Sequence, residues 1–156
     1  MEKTDSRLTA FCPQYISLSN NIDILGIVMV AWSNYKAEAS ERGALALELY
    51  VAMSTPAGEP EAVKANLPAH LAYQAELERA GNLAFAGPMS DESGENMQGV
   101  GLIVYRADSL EEAQELAKAD PMHASGARSY VMRRWLINEG SLTLGVGLST
   151  GRVTLK

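Results

Sequence analysis

Pro68-Ala-His70-Leu-Ala-Tyr-Gln-Ala-Glu-Leu77-Glu-Arg-Ala-Gly81 reads as one helix carrying a single histidine on its inward side. Pro68 suits the first helical position, where no amide donor is needed, with Asn66 or Leu67 as the cap; Gly81 suits a left-handed stop. At about 100° per residue, Leu67, His70, Gln74 and Leu77 share one narrow face, with Ala69, Ala72, Glu76 and Arg79 opposite. An imidazole inside a packing stripe must find a hydrogen-bond partner, or the fold loses about 1–3 kcal/mol. Two readings of His70 stand side by side: a satisfied core histidine, and a general base whose partner lies elsewhere in the chain.

Outward from this helix the pattern is regular. Before it, Ala44 to Met53 alternates, with Leu45, Leu47, Leu49, Val51 and Met53 on one face and Ala46, Glu48, Tyr50 and Ala52 on the other, as a half-buried strand does. Ser54 to Pro60 reads as loop. After the helix, Asn82 to Pro88 is a second strand, Met89 to Gly99 a polar loop or lid, and Val100 to Arg106 a third strand. Ser109 followed by Glu112 is a capping box that opens a second helix. That helix must stop before Pro121, which disfavours helical geometry at Asp120 and lacks an amide donor. Asp120-Pro-Met-His-Ala-Ser-Gly126 is then a tight turn or short helix, and Arg128 to Ile137 a fourth strand. The order strand, helix, strand, strand, helix, strand is the α+β, ferredoxin-like βαββαβ arrangement, an antiparallel sheet with helices on one face.

Three segments are expected: an N-terminal extension over 1–43, the ferredoxin-like domain over 44–140, and a C-terminal β-hairpin extension over 141–156. In the first, Ile22 to Trp32 is apolar but only 11 residues long and contains Asp23, against about 20 for a membrane span. It reads as a buried strand or short helix, with a partner-binding arm as the functional alternative. Ser33 to Arg42 reads as a helical connector ending at Gly43. The hairpin pairs Ser141–Leu148 with Arg152–Leu155 and is expected to extend a sheet or embrace a neighbouring subunit. Its Gly145-Val-Gly147 misses the dinucleotide fingerprint, since no helix follows.

A chain of 156 residues with 47% hydrophobic content is long enough for one full domain, burying about 68–70% of its unfolded surface. A net charge of −6 and a pI near 4.9 argue against a nucleic-acid or acidic-membrane surface, which needs clustered Lys and Arg. The lone Cys12 forms no internal disulfide, and no Cys/His cluster has zinc spacing. A cytoplasmic protein without metal or cofactor is expected. Helices on only one sheet face leave the other bare, so Ala46, Glu48, Tyr50, Ala84 and Ala86 are expected to meet a second copy, giving a homodimer or higher homo-oligomer.

Leu67-Pro-Ala-His70-Leu-Ala-Tyr, Ala86-Gly-Pro88, the Ser109-Leu-Glu-Glu-Ala helix, Ala119-Asp-Pro-Met-His-Ala-Ser-Gly126 and Arg134-Trp-Leu-Ile-Asn-Glu-Gly140 together resemble the YCII-related (YciI-like) family, over roughly residues 45 to 140. The resemblance implies a dimeric α+β barrel, in which two ferredoxin-like units pack sheet against sheet, with His70 and Asp120 as the active pair. Residues 1–43 have no counterpart in it. In the split βαβ frame the two helices lie side by side, so the pairing is sterically sensible. A carboxylate accepting from one imidazole nitrogen would fix the tautomer and leave the other nitrogen as the base. Tyr73, His123, Tyr50, Ser93, Gly87 and Pro88 are candidate substrate contacts, with Asp91 of the same standing as Ser93. No serine has an evident base, and Cys12 lies outside the matched region, so a nucleophilic mechanism is disfavoured.

A His/Asp pair without metal ligands or a cofactor loop suits proton transfer on a small organic molecule. The resemblance implies dehydrochlorination of a chlorinated hydroxyquinol in aromatic degradation, a cofactor-independent lyase reaction with a small aromatic substrate. Two other classes remain: a non-catalytic small-ligand-binding or assembly module, and a cofactor-independent monooxygenase. A heme role is disfavoured, because the resemblance pairs His70 with Asp120 and His123 is the only other histidine.

Overall fold

The structure is a computed structural model, and it describes residues 29–155. The chain divides into two compact units, Met1–Tyr35 and Lys36–Lys156; all that follows on sheet and site concerns the second. Of the expected element over Ile22 to Trp32, residues 22–28 lie outside the described residues, 29–31 are neither helix nor strand, and Trp32 opens the first helix. Helix α1 runs Trp32–Glu41 and is closed by Gly43 at φ 83°, as the connector reading anticipates.

Strand β1 (Leu47–Pro56), helix α2 (Pro60–Ala80), strands β2 (Leu83–Ser90) and β3 (Met97–Tyr105), helices α3 (Leu110–Ala119) and α4 (Pro121–Ala124), and strand β4 (Arg128–Ile137) follow in order. The four strands form one sheet in the order β2-β3-β1-β4, with every neighbouring pair antiparallel. This is the ferredoxin-like βαββαβ fold. Strands β5 (Leu144–Val146) and β6 (Val153–Leu155) make the C-terminal hairpin. They form a two-stranded sheet of their own and do not extend the main one.

Two boundaries differ from the sequence reading. β1 continues to Pro56, so most of the expected loop from Ser54 is strand. α2 begins at Pro60 and has Pro68 in its interior. Both prolines suit a first turn, and the earlier one takes it. Pro68 offers no amide to the preceding turn, a loss that ordinarily costs about 3 kcal/mol and that the tertiary packing of a 21-residue helix absorbs. Asn66 is consequently not a cap: its Nδ2 donates to the Ala62 carbonyl within the helix. Leu67 is 44% exposed, so the inward stripe runs through Asn66, His70, Tyr73 and Leu77. Gly81 closes the helix in the left-handed conformation, φ 84°, where a side chain would be strained.

The core lies between one sheet face and the helices. Tyr50, Ala52, Ile103 and Tyr105 from the strands meet Leu77 of α2 and Ala113 and Ala117 of α3. Here the sequence expectation inverts. The face of Glu48, Tyr50, Ala52 and Ser54 is the one under the helices, and Ala46 lies outside the sheet. The leucine-rich face is the open one. Register aligns Met53 with Leu102 and Val131, and Leu49 with Trp135. On that face Leu47, Met53, Phe85, Val131 and Trp135 are exposed, although Leu49 is buried. Under the helices the sheet presents large and small side chains together, Tyr50, Ile103 and Tyr105 beside Ala52, and the alanines Ala113 and Ala117 let α3 seat on them.

Among the described residues no helix is long and apolar enough to cross a membrane.

Candidate functional site

The site grows from the joint between α3 and α4. Ser109 caps α3 by accepting from the Glu112 amide at 3.1 Å. The returning Glu112 Oε2 accepts the Asp108 amide at 2.7 Å, a variant of the expected reciprocal box. α3 ends at Ala119 because Pro121 forbids its continuation, and Asp120 adopts φ −60°, ψ 126°. Asp120 thereby serves as both the stop of α3 and the cap of α4, where its Oδ1 accepts the Met122 amide at 2.9 Å.

The same carboxylate meets the histidine of α2. His70 Nδ1 lies 2.9 Å from Asp120 Oδ1 and 2.8 Å from Oδ2. A carboxylate accepts, so Nδ1 carries the proton and Nε2 is left with its lone pair. Asp120 is 1% exposed and the His70 side chain 16%. The anion is thus sealed in protein while the edge of the ring reaches solvent. No protein group among the described residues bonds to Nε2.

His123 on α4 is built differently. Its Nδ1 is 2.7 Å from the Ala117 carbonyl, which only accepts, so Nδ1 donates. Its Nε2 is 2.9 Å from Ser54 Oγ. Ser54 Oγ accepts from Arg128 Nε at 2.9 Å, so its own proton points to His123 Nε2. Burial pulls His123 below the ordinary histidine value, against the smaller opposing influences of the Ala117 carbonyl and Asp120. Its ring also packs on Tyr130, centroids 4.5 Å apart. Both nitrogens of His123 are occupied within the protein.

The remaining candidates are spread out. Tyr73 follows His70 by one turn of α2 and donates to the Leu116 carbonyl at 2.9 Å; burial first, then Asp120 and Glu76, push its phenol up. Tyr50 is 3% exposed, and its hydroxyl donates to Glu48 Oε1 at 3.1 Å, away from the Asp120 cluster. Ser93 donates to Asp91 Oδ1 at 2.6 Å, and Asp91 Oδ2 accepts from Asn96 Nδ2 at 2.9 Å. These bonds, led by the Ser93 one, hold Asp91 down at about 2. Ser93 and Asp91 therefore close the β2–β3 turn. Gly87 and Pro88 are strand residues opposite Leu102 and Gly101.

Sequence reasoning missed Ser54 and Arg128. The statement that no serine has a base is corrected at Ser54, buried at 3% with His123 beside it. The available signal was parity: Ser54 follows Tyr50 and Ala52 on the core face, and Arg128 precedes Tyr130 and Met132 on the same side of β4. A cleft of about 320 Å³ lies at the opposite end of β1, lined by Leu47, Glu48, Asn82, Arg106 and Glu112 among others. It contains neither histidine, and its walls offer no comparable proton-transfer pair.

The pattern model of the YCII-related domain matches residues 32–136. The chain belongs to the YCII-related domain family. The match takes in α1, ahead of the region recognisable by eye, and ends before the hairpin. Among curated proteins, the uncharacterized protein YjpA of Bacillus subtilis (strain 168) is 36% identical over 70 residues, which are 45% of this chain and 75% of that one. Among solved structures, 5-chloro-2-hydroxyhydroquinone dehydrochlorinase (TftG) from Burkholderia phenoliruptrix AC1100, in complex with 2,5-dihydroxybenzoquinone, aligns with a TM-score of 0.44 and 22% identity over 56% of this chain and 92% of that one. For this YCII-related chain the family membership fixes the domain type, and the chemistry has to be argued from His70 and Asp120.

Proposed function

We propose that this chain is a cofactor-independent lyase in which His70 Nε2 is a general base and Asp120 its positioning residue. One observation carries the reading: the His70 Nδ1–H is anchored on a fully buried carboxylate while Nε2 has no protein partner. Such an arrangement presets the tautomer and holds a base ready for an incoming proton. The reaction we assign is elimination from a chlorinated hydroxyquinol. Nε2 takes a phenolic proton, the ring tautomerises, and chloride leaves with the carbon–chlorine electron pair. The two electrons that depart with chloride are those the ring gives up in becoming a quinone, so no external oxidant is needed.

The test is anaerobic chloride release from a chlorinated hydroxyquinol by the wild type, His70→Ala and Asp120→Asn. Release by the wild type, reduced about 10²- to 10⁴-fold in His70→Ala, is the expected result. No release by the wild type removes the elimination reading; oxygen uptake with the same phenol would indicate an oxygenase instead, and tight binding without turnover a ligand-binding module.

We further infer a homodimer of this cytoplasmic domain, formed through the open sheet face. Leu47, Met53, Phe85, Val131 and Trp135 are exposed there, more apolar surface than a monomer ordinarily leaves in water. Val131→Glu is expected to shift the mass by light scattering from dimer to monomer; an unchanged dimer would move the interface elsewhere, with the hairpin as the next place to cut.

A further inference from the structure

Arg128, at the start of β4, is a half-buried cation without a counter-ion. Its Nε donates to Ser54 Oγ at 2.9 Å, and one Nη2 donates to the carbonyls of Ser54, at 2.7 Å, and Gly99. All three acceptors are neutral. The carboxylate whose charge it feels, Asp120, is occupied by His70 and the Met122 amide, and no carboxylate among the described residues lies within ion-pair distance of the guanidinium. A partly desolvated charge held by neutral groups is costly unless something charged completes it. The three bonds also fix the plane of the guanidinium, and Nη1 is left with no protein partner.

The surroundings connect this group to the base. Gly101 lies beside it on β3: a Cβ there would stand 4.0 Å from Nη2, at ordinary contact distance, and 3.3 Å from the Gly87 carbonyl oxygen. Ser54 and His123 link Arg128 to α4, whose capping residue is Asp120. Base and cation therefore belong to one continuous polar layer at the end of the sheet.

We propose that Arg128 is the seat for a phenolate oxygen of the ligand, with Nη1 as the donor and Ser54 and Gly99 holding the guanidinium in place. The inference rests on the phenolic reading above and adds a specificity: the site prefers the ionised phenol, and the charge left when His70 removes a proton falls on a cation already oriented to receive it. Such a preset donor needs no rearrangement as charge develops. The titratable group whose charge reaches Arg128 is Asp120, and His123 faces it across Ser54.

The test uses 4-nitrophenol, whose phenolate is distinguished from the phenol by its absorption and which carries no chlorine. Bound to the full-length wild type, its ionisation midpoint should fall at least one pH unit, a tenfold preference for the anion. Arg128→Gln should return the midpoint to that of free probe, Arg128→Lys should retain part of the shift, and His70→Gln should retain it. No binding to the wild type, an unshifted midpoint, a shift that survives Arg128→Gln, or one lost only in His70→Gln overturns the proposal. Should Arg128→Gln fail to fold by circular dichroism, competition between the probe and neutral 4-nitroanisole on the wild type decides: equal affinities overturn it. A negative chloride assay with a positive probe result removes the elimination reading alone.

Discussion

The two histidines of this chain sit within reach of the same carboxylate and are treated in opposite ways. On α2, His70 has one nitrogen tied to Asp120 and one left without a partner. On α4, His123 has both nitrogens tied, one to a carbonyl and one to a serine hydroxyl. The first arrangement leaves an imidazole nitrogen without a protein partner on a side chain that is 16% exposed. The second spends the imidazole on holding α4, β1 and, through Arg128, β4 together. Residue type and neighbourhood are nearly the same, so what separates the proposed base from the brace is the count of satisfied nitrogens.

Asp120→Asn is expected to break the contrast most. An amide offers an N–H as readily as an oxygen, so His70 can turn to the other tautomer and lose its lone pair at Nε2. Chloride release should fall about 10²- to 10⁴-fold with circular dichroism unchanged, because the Asn carbonyl still accepts the Met122 amide. Loss below tenfold would mean that the tautomer is not held from this side. His123→Phe comes next and acts on stability. It strands the Ser54 proton, while the Ala117 carbonyl keeps only the long bond from the Asp120 amide, a cost of about 1–3 kcal/mol, read by urea denaturation; a neutral result would strip His123 of its bracing role.

The smallest expected effect is the pH dependence of that brace. His123 titrates below its ordinary 6.5 in the folded chain because it is buried. The unfolded chain therefore takes up a proton first as pH falls, and binding more protons when unfolded means that stability rises with pH in this window. The His123 contribution is complete above about 6.5 and is lost progressively below it. Melting temperature should decline from pH 7 toward pH 5, and His123→Phe should flatten that slope. A slope unchanged by the substitution would assign the decline to other groups.

How much of this was legible before the structure depended on whether a residue announced its position through backbone chemistry or through packing. The cap at Ser109, the stop at Pro121 and the strand Arg128–Ile137 follow from local rules, and they stand where the rules put them. Those three elements were enough to define the topology and to bring Asp120 toward α2. The start of α2 was not legible, since Pro60 and Pro68 are equally good first residues in isolation and only tertiary packing tells them apart. The facing of β1 was misleading for a sharper reason. Leu45 to Met53 looks like a core stripe, but helices seat closely on Tyr50 and Ala52, and the leucines are left for another surface. For Ser54 and Arg128 parity could give only the side of the sheet; their meaning lies in a contact spanning 74 positions of sequence, which no local rule reveals.

One consequence of the shared cap at Asp120 reaches beyond catalysis. The Met122 amide is buried and bonded to the very carboxylate that holds His70, so its hydrogen-exchange rate is a native gauge of the pair. Any ligand that draws negative charge away from Asp120, or any opening that frees it, should register as faster deuterium uptake at that one amide. The joint between two helices thus carries its own reporter, readable without substrate, turnover or label.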